Sequence, residues 1–202
     1  MTAKRSEWQR MLAGEEYDAA DPALSAARRR CRQLYQTLNS GYGEADALLS
    51  ELLGSRGQQC SIHPPFFCDY GCHIHVGENF YANVGCTLID VCEIRIGDNV
   101  LLGPNVQIYT AGHPIAVAPR IAGQEFGKPV RIGNNVWIGG SAILCPGVTI
   151  GDHSVIGAGS VVTRDIPAGV VAAGNPCRVL RTMTAAELAD VTGSSSTTCA
   201  QD

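Results

Sequence analysis

The chain has 202 residues, 45% of them hydrophobic and 17% charged, with 23 Gly and a formal net charge of −4. That size suits one domain or a domain with a small appendage, and the charge offers no basic field to nucleic acid or an anionic membrane. No stretch approaches the roughly 20 apolar residues that cross a bilayer, and the opening MTAKRSEWQRMLAGEEYD lacks the apolar core of a secretory signal. Nine cysteines without a CxxC pair then read as free thiols of a reduced, cytoplasmic protein.

Residues 1–57 read as helical. Asp21-Pro22 is a start signal, with an acidic cap and Pro at the first helical position. Leu24, Ala27, Cys31, Leu34, Tyr35 and Leu38 follow as one apolar stripe. Arg28, Arg29, Arg30 and Arg32 fall mostly off that stripe and read as a solvated basic face. Asn39-Ser40-Gly41 ends the helix, and Leu48, Leu49, Leu52 and Leu53 mark a shorter one.

From about residue 58 the pattern changes to a six-residue beat. Aliphatic residues stand at Ile132, Ile138, Leu144, Ile150, Ile156 and Val162, with Gly133, Gly139, Gly151 and Gly157 following four of them. The beat extends back through Ile108, Leu102 and Ile96 to Val84, and fails at Asp90. Small or aliphatic residues precede it by two places at Val100, Val106, Val130, Val136, Ala142 and Val148. Short strands joined by tight bends need this arrangement, and a hexapeptide period is the mark of a parallel β-helix. Residues 58–178 are therefore the coils, and the helical segment 1–57 is the cap that covers the open first edge. Residues 179–202 form a C-terminal segment, with a short helix before 190 and a polar tail expected to be disordered.

Between Ile108 and Val130 the beat stops, and it resumes in step at Ile132. The intervening stretch has three Pro and three Gly, so a loop over 109–131 projects from the scaffold. Loops of that length on a regular frame are commonly functional. Within it lies His113, and an imidazole, with an unperturbed pKa of ~6.5 in general, is the side chain suited to accept a hydroxyl proton near neutral pH. Cys68, Cys72, His73 and His75 lie close together, but alternation along a strand sends neighbours to opposite faces. Core cysteines and surface histidines are expected there, and no metal site.

Several stretches carry a resemblance that the repeats alone do not. They are Ala13-Gly14-Glu15, Asn79-Phe80-Tyr81-Ala82-Asn83, Tyr109-Thr110-Ala111-Gly112-His113-Pro114, Gly127-Lys128-Pro129-Val130, Ile132 to Gly139, and Ala173-Gly174-Asn175-Pro176-Cys177-Arg178. Through them the chain resembles the maltose and galactoside O-acetyltransferases from about residue 7 to 185. The resemblance implies a mainly β fold, a left-handed parallel β-helix of hexapeptide repeats with an N-terminal helical cap and one protruding loop. It also implies a homotrimer whose active sites lie between subunits, acetyl-CoA as co-substrate, no metal, and a sugar or glycoside hydroxyl as acceptor.

It further implies roles for particular residues. His113 falls on the catalytic position, and Glu125 would bond its second imidazole nitrogen and fix the tautomer. Asn83 and Tyr81 would contact the acceptor. Asp69 matches a position that is Ser in the galactoside branch. Asp90 either binds sugar hydroxyls or holds a neighbouring turn. The acceptor-binding Asp of the family aligns with Ala19, and Asp18 beside it is the candidate replacement. Gly140, Ala158, Thr163, Arg178 and Arg181 match coenzyme A positions, the arginines supplying charge for phosphates. Trp137 offers a flat apolar wall near the transfer point.

Two rivals use the same frame. A zinc enzyme similar to the γ-class carbonic anhydrases needs three His, and Pro114-Ile115-Ala116-Val117-Ala118 supplies no second one after His113. A non-catalytic binding or assembly module has no need of His113, Asn83 and Trp137 together.

Overall fold

The computed structural model describes residues 5–189. Three helices come first: α1 (Glu7–Leu12), α2 (Pro22–Asn39) and α3 (Ala45–Leu52). The Asp21 carboxylate accepts from the amides of Ala23 and Leu24 and Pro22 opens the helix, so α2 starts where its sequence predicts. Leu24, Cys31 and Leu38 of its stripe are buried. Leu49, Leu52 and Leu53 are buried in the same core as the first coil, so the cap closes the end of the solenoid with apolar surface.

The solenoid is made of three parallel sheets, visited in turn by each coil. The first face holds Ile74–Val76, Ile94–Ile96, Val130–Ile132 and Thr149–Ile150. The second holds Cys60–Ile62, Phe80–Ala82, Leu101–Leu102, Trp137–Ile138, Val155–Ile156 and Val170–Ala173, six coils in all, closed by antiparallel Arg178–Thr182. The third holds Phe67–Cys68, Thr87–Ile89, Gln107–Tyr109, Ile143–Leu144 and Val161–Val162. Ile132, Ile138, Leu144, Ile150, Ile156 and Val162 are all buried. Each such side chain contributes roughly 1.5–3 kcal/mol by leaving water. Behind residue 182 a short helix, α5 (Ala185–Leu188), follows; it and the five-residue α4 (Val117–Ile121) in the loop complete the described helices. The polar tail lies outside the described residues.

Three expectations need correction. Val84 is not an inward position: it is 42% exposed, and the inward residues of its coil are Val76, Ala82 and Leu88. Tyr81 pairs with Leu101, twenty residues on, whereas Trp137 pairs with Val155, eighteen on. Counting back in sixes from Leu102 therefore drifts by two residues, and Asp90 is not a failed beat but a corner residue. Second, the glycines after the beat do not make the bend. A Cβ on Gly133 would sit 2.1 Å from Asp152 Oδ1, so Gly is needed for the close approach of the next coil. The left-handed backbone falls instead on Asn79, Asn99, Asn135 and His153, with φ of 55°, 55°, 57° and 60°. Third, His73 is buried and Cys72 exposed, the reverse of the expected pair.

The extra residues collect at one corner, where the chain turns from the third face to the first. Residues 69–73 and 90–93 widen it in the first two coils, and 110–129 fill it in the third. The long loop is not structureless. Ala111–Gly112 pairs antiparallel with Gln124–Gly127, which pairs in turn with Tyr17–Asp18 from the cap. This small sheet ties the loop to the cap.

Candidate active site

At that corner the strand pairing places Tyr17 opposite Glu125 and Asp18 opposite Gln124. His113 follows Gly112 at the end of the edge strand Ala111–Gly112, and its side chain is about half exposed. Nδ1 of His113 lies 3.2 Å from the carbonyl oxygen of Gln124. With that carbonyl as acceptor, Nδ1 carries the proton and Nε2 is the basic nitrogen. Oε1 of Glu125 is 4.0 Å from Nε2, and the Tyr17 hydroxyl donates to Oε2 at 2.7 Å. Glu125 thus faces the basic nitrogen, and Gln124 does the tautomer-fixing that sequence assigned to Glu125.

Below the loop, Asp90 is fully buried. Its Oδ1 accepts from the amides of Asp69 and Tyr70 at 3.0 and 2.9 Å, and Oδ2 from the amide of His73 at 3.3 Å. Nδ1 of His73 bonds the Asp90 carbonyl oxygen at 2.7 Å. Of the two roles open to Asp90, this is the turn-holding one: its carboxylate locks the first coil's corner onto the second. Burial pushes the carboxyl up to about 7, against the pull of the three amides. Asp69 is half-buried beside it and is raised by burial, with Arg28 opposing and Glu125 adding to the shift.

Arg28 departs from the solvated face expected of it. Its guanidinium donates to the Tyr70 hydroxyl and the Ala19 carbonyl, both at 2.6 Å, and lies over the Tyr70 ring. A run of arginines on a helix gives no sign of which one turns inwards. Tyr17, 1% exposed, was equally invisible, because only the cross-strand register places its hydroxyl at Glu125. Asp18 is exposed, and Oδ1 accepts from the amide of Ala20 at 2.8 Å.

The other predicted residues sit elsewhere. Tyr81 and Trp137 lie on the outer side of the second face, in register with Leu101 between them. They line an open groove of about 470 Å³ with Asn83, Pro104 and Gly140. Tyr81 packs on His63 with ring centroids 5.2 Å apart, and Oδ1 of Asn83 accepts from the amide of Val84 at 2.8 Å. Trp137 is 55% and Leu101 48% exposed. Gly140 and Ala158 stack at the corner between the second and third faces, where the Gly159 amide donates to the Gly140 carbonyl. Arg178 and Arg181 lie on the closing strand. Two 2.7 Å bonds commit the Arg181 guanidinium to Glu187, whereas Arg178 has no acidic partner among the described residues. Thr163 lies apart from these, at the loop corner two coils above His113. One protomer therefore does not unite the two sets, since the loop corner lies opposite the second face in each coil.

Comparison with known proteins sets this arrangement in a family. Residues 10–57 match the maltose acetyltransferase hexapeptide capping motif, and residues 129–164 the bacterial transferase hexapeptide family of six repeats. A maltose O-acetyltransferase from Clostridium difficile 630 is 51% identical and superposes with a TM-score of 0.87, over 89% of this chain and 98% of its own. The chain belongs to the maltose and galactoside O-acetyltransferase family. Another acetyltransferase of this family, a galactoside acetyltransferase solved with coenzyme A, is 40% identical with a TM-score of 0.87, covering 94% and 97% of the two chains. A putative acetyltransferase of Saccharomyces cerevisiae is 50% identical over 181 residues, 87% of this chain and 92% of its own. No group of three or more His, Cys, Asp or Glu side chains that could hold a metal ion occurs among the described residues, and no described helix is long and apolar enough to cross a membrane.

Proposed function

We propose that this acetyltransferase moves the acetyl group of acetyl-CoA onto a hydroxyl of a sugar or glycoside, with His113 as general base. The observation that carries the reading is the His113 imidazole, whose Nδ1 is engaged by Gln124 and whose Nε2 faces out beside a carboxylate. The acceptor oxygen attacks the thioester carbonyl, the C–O bond forms and the C–S bond breaks. Nε2 takes the hydroxyl proton and returns it to the departing thiolate. Glu125 steadies the imidazolium that exists in between. Transfer is direct in this reading, since none of the cysteines among the described residues stands in a base-activated pair.

The second face fits the co-substrate in its chemistry. Trp137 and Leu101 give an apolar wall, Gly140 lines the same groove, and Arg178, without an acidic partner among the described residues, offers a cation for phosphate. Because His113 and this groove lie on opposite sides of one coil, the reading requires a second copy. In a homotrimer the loop of one subunit meets the groove of the next. The same reading puts the enzyme in the cytoplasm.

The test is acetyl-CoA consumption with a panel of sugars, wild type beside His113→Ala. A sugar-dependent rate that falls ~10²–10⁴-fold in the variant establishes both activity and base. A rate that survives the substitution rejects His113. Failure of every sugar together with failure to bind acetyl-CoA favours a non-catalytic module. An enzyme that gains a stable acetyl mass from acetyl-CoA alone overturns direct transfer.

A further inference from the structure

The cap contributes one side chain that reaches the reaction centre through another residue. Tyr17 is fixed by its strand, which pairs antiparallel with Gln124–Gly127 so that Tyr17 and Glu125 are directly opposed. Side chains of such a pair project to the same side of the ribbon. The Tyr17 hydroxyl takes one carboxylate oxygen, Oε2, at 2.7 Å, and leaves Oε1 at 4.0 Å from Nε2 of His113. Tyr17 is buried against Met11, Leu24, Tyr70 and Val91, so its ring has no freedom to follow a moving loop. Glu125 itself is only half-buried, on a segment connected to α4 through Ala122 and Gly123. Without a fixed donor its carboxylate would be free to turn to water. Burial and the neighbouring carboxylate push the Tyr17 phenol far above its ordinary range, so it stays a donor throughout the working pH.

We propose that Tyr17 is a positioning residue for acetyl transfer: it holds the Glu125 carboxylate beside Nε2 of His113, so that the cap, and not the loop alone, places the group that steadies the imidazolium. The proposal rests on His113 acting as the base.

The experiment is steady-state kinetics of the sugar-dependent reaction in the full chain for wild type, Tyr17→Phe, Glu125→Gln and the double variant, with kcat and KM separated. The expected result is a roughly tenfold fall in kcat in each single variant, with KM for acetyl-CoA unchanged. The double variant should be no worse than Glu125→Gln alone, because both changes break one connection. A kcat unmoved in Glu125→Gln or in Tyr17→Phe, or additive losses in the double variant, overturns the proposal. If Tyr17→Phe does not fold, the Glu125→Gln kinetics still decide whether the carboxylate acts on the base. A full rate in His113→Ala instead rejects the assigned base, and with it the reading on which the proposal rests.

Discussion

The second face and the loop corner are built from the same chain by opposite means. On the second face every coil repeats the last: Tyr81, Leu101, Trp137 and Val155 stack in one outward row, and Ala82, Leu102, Ile138 and Ile156 in one inward row. At the loop corner no two coils agree. The first is folded around the Asp90 carboxylate, the third carries the loop, and the cap strand is drawn in beside it. The face gains stability from identical apolar contacts. The corner spends buried polar groups on holding shapes that the repeat would not adopt. Residues that can do chemistry stand on irregular backbone braced by buried bonds, next to a frame too uniform to move.

The first way to break this comparison is to hollow the frame. Ile138→Ala removes a fully buried side chain from a central coil and should cost about 2–5 kcal/mol in urea unfolding. Trp137→Ala, one residue away and more than half exposed, should change stability by less than about 0.5 kcal/mol and instead raise KM for acetyl-CoA. Equal losses from both would mean that the outward row is structural as well.

The corner should respond to pH where the frame does not. Asp90→Ala strands three buried amides and should cost roughly 3 kcal/mol. Asp90→Asn should cost less at pH 8 than at pH 4.5. The folded value of about 7 lies above the ordinary 3.8. Folding therefore favours the protonated acid, and that contribution is fully present below about pH 4 and lost as pH rises through about 7. The gap between wild type and Asp90→Asn in denaturant midpoint, followed from pH 4.5 to 8, should therefore shrink as pH rises. A gap that widens would mean that the three amides outweigh burial. His73, Asp69, Tyr70 and Arg28 are the groups that share this field and are unchanged in the variant.

The same division explains what could be read from sequence. Period and burial coincide on all three faces of the upper coils, so the spacing of Ile132 to Val162 marks the coils correctly by itself. The cap was legible too, since Asp21-Pro22 and the α2 stripe are local signals. The drift at Val84 shows the limit: a coil of twenty residues looks like a coil of eighteen until its neighbour's register is known. His113 and Glu125 could be found in the loop, but their geometry could not. Tyr17 meets Glu125 across 108 residues, and Gln124 acts through its carbonyl, which any residue possesses. Asp90 stood out because a carboxylate broke the aliphatic pattern. Its partners are backbone amides and leave no mark on the sequence.

The smallest effect tests the regular part at its own bends. Asn79, Asn99 and Asn135 form a ladder along the corner between the first and second faces, Asn79 donating to Asn99 at 2.8 Å and Asn99 to Asn135 at 2.9 Å. Each also occupies the left-handed region. Asn is therefore suited to the site twice over, by its tolerance of that backbone and by its amide. Two substitutions at Asn99 separate the reasons. Asn99→Gly keeps the backbone and loses the rungs, which are exposed and worth about 0.5 kcal/mol each. Asn99→Ala loses the rungs and also places an ordinary side chain where the left-handed backbone costs roughly 1–2 kcal/mol. Thermal unfolding should rank wild type above Gly and Gly above Ala. If Gly and Ala fall together, the ladder and not the backbone fixes this bend, and the repeat is held by side-chain bonds even where it is most regular.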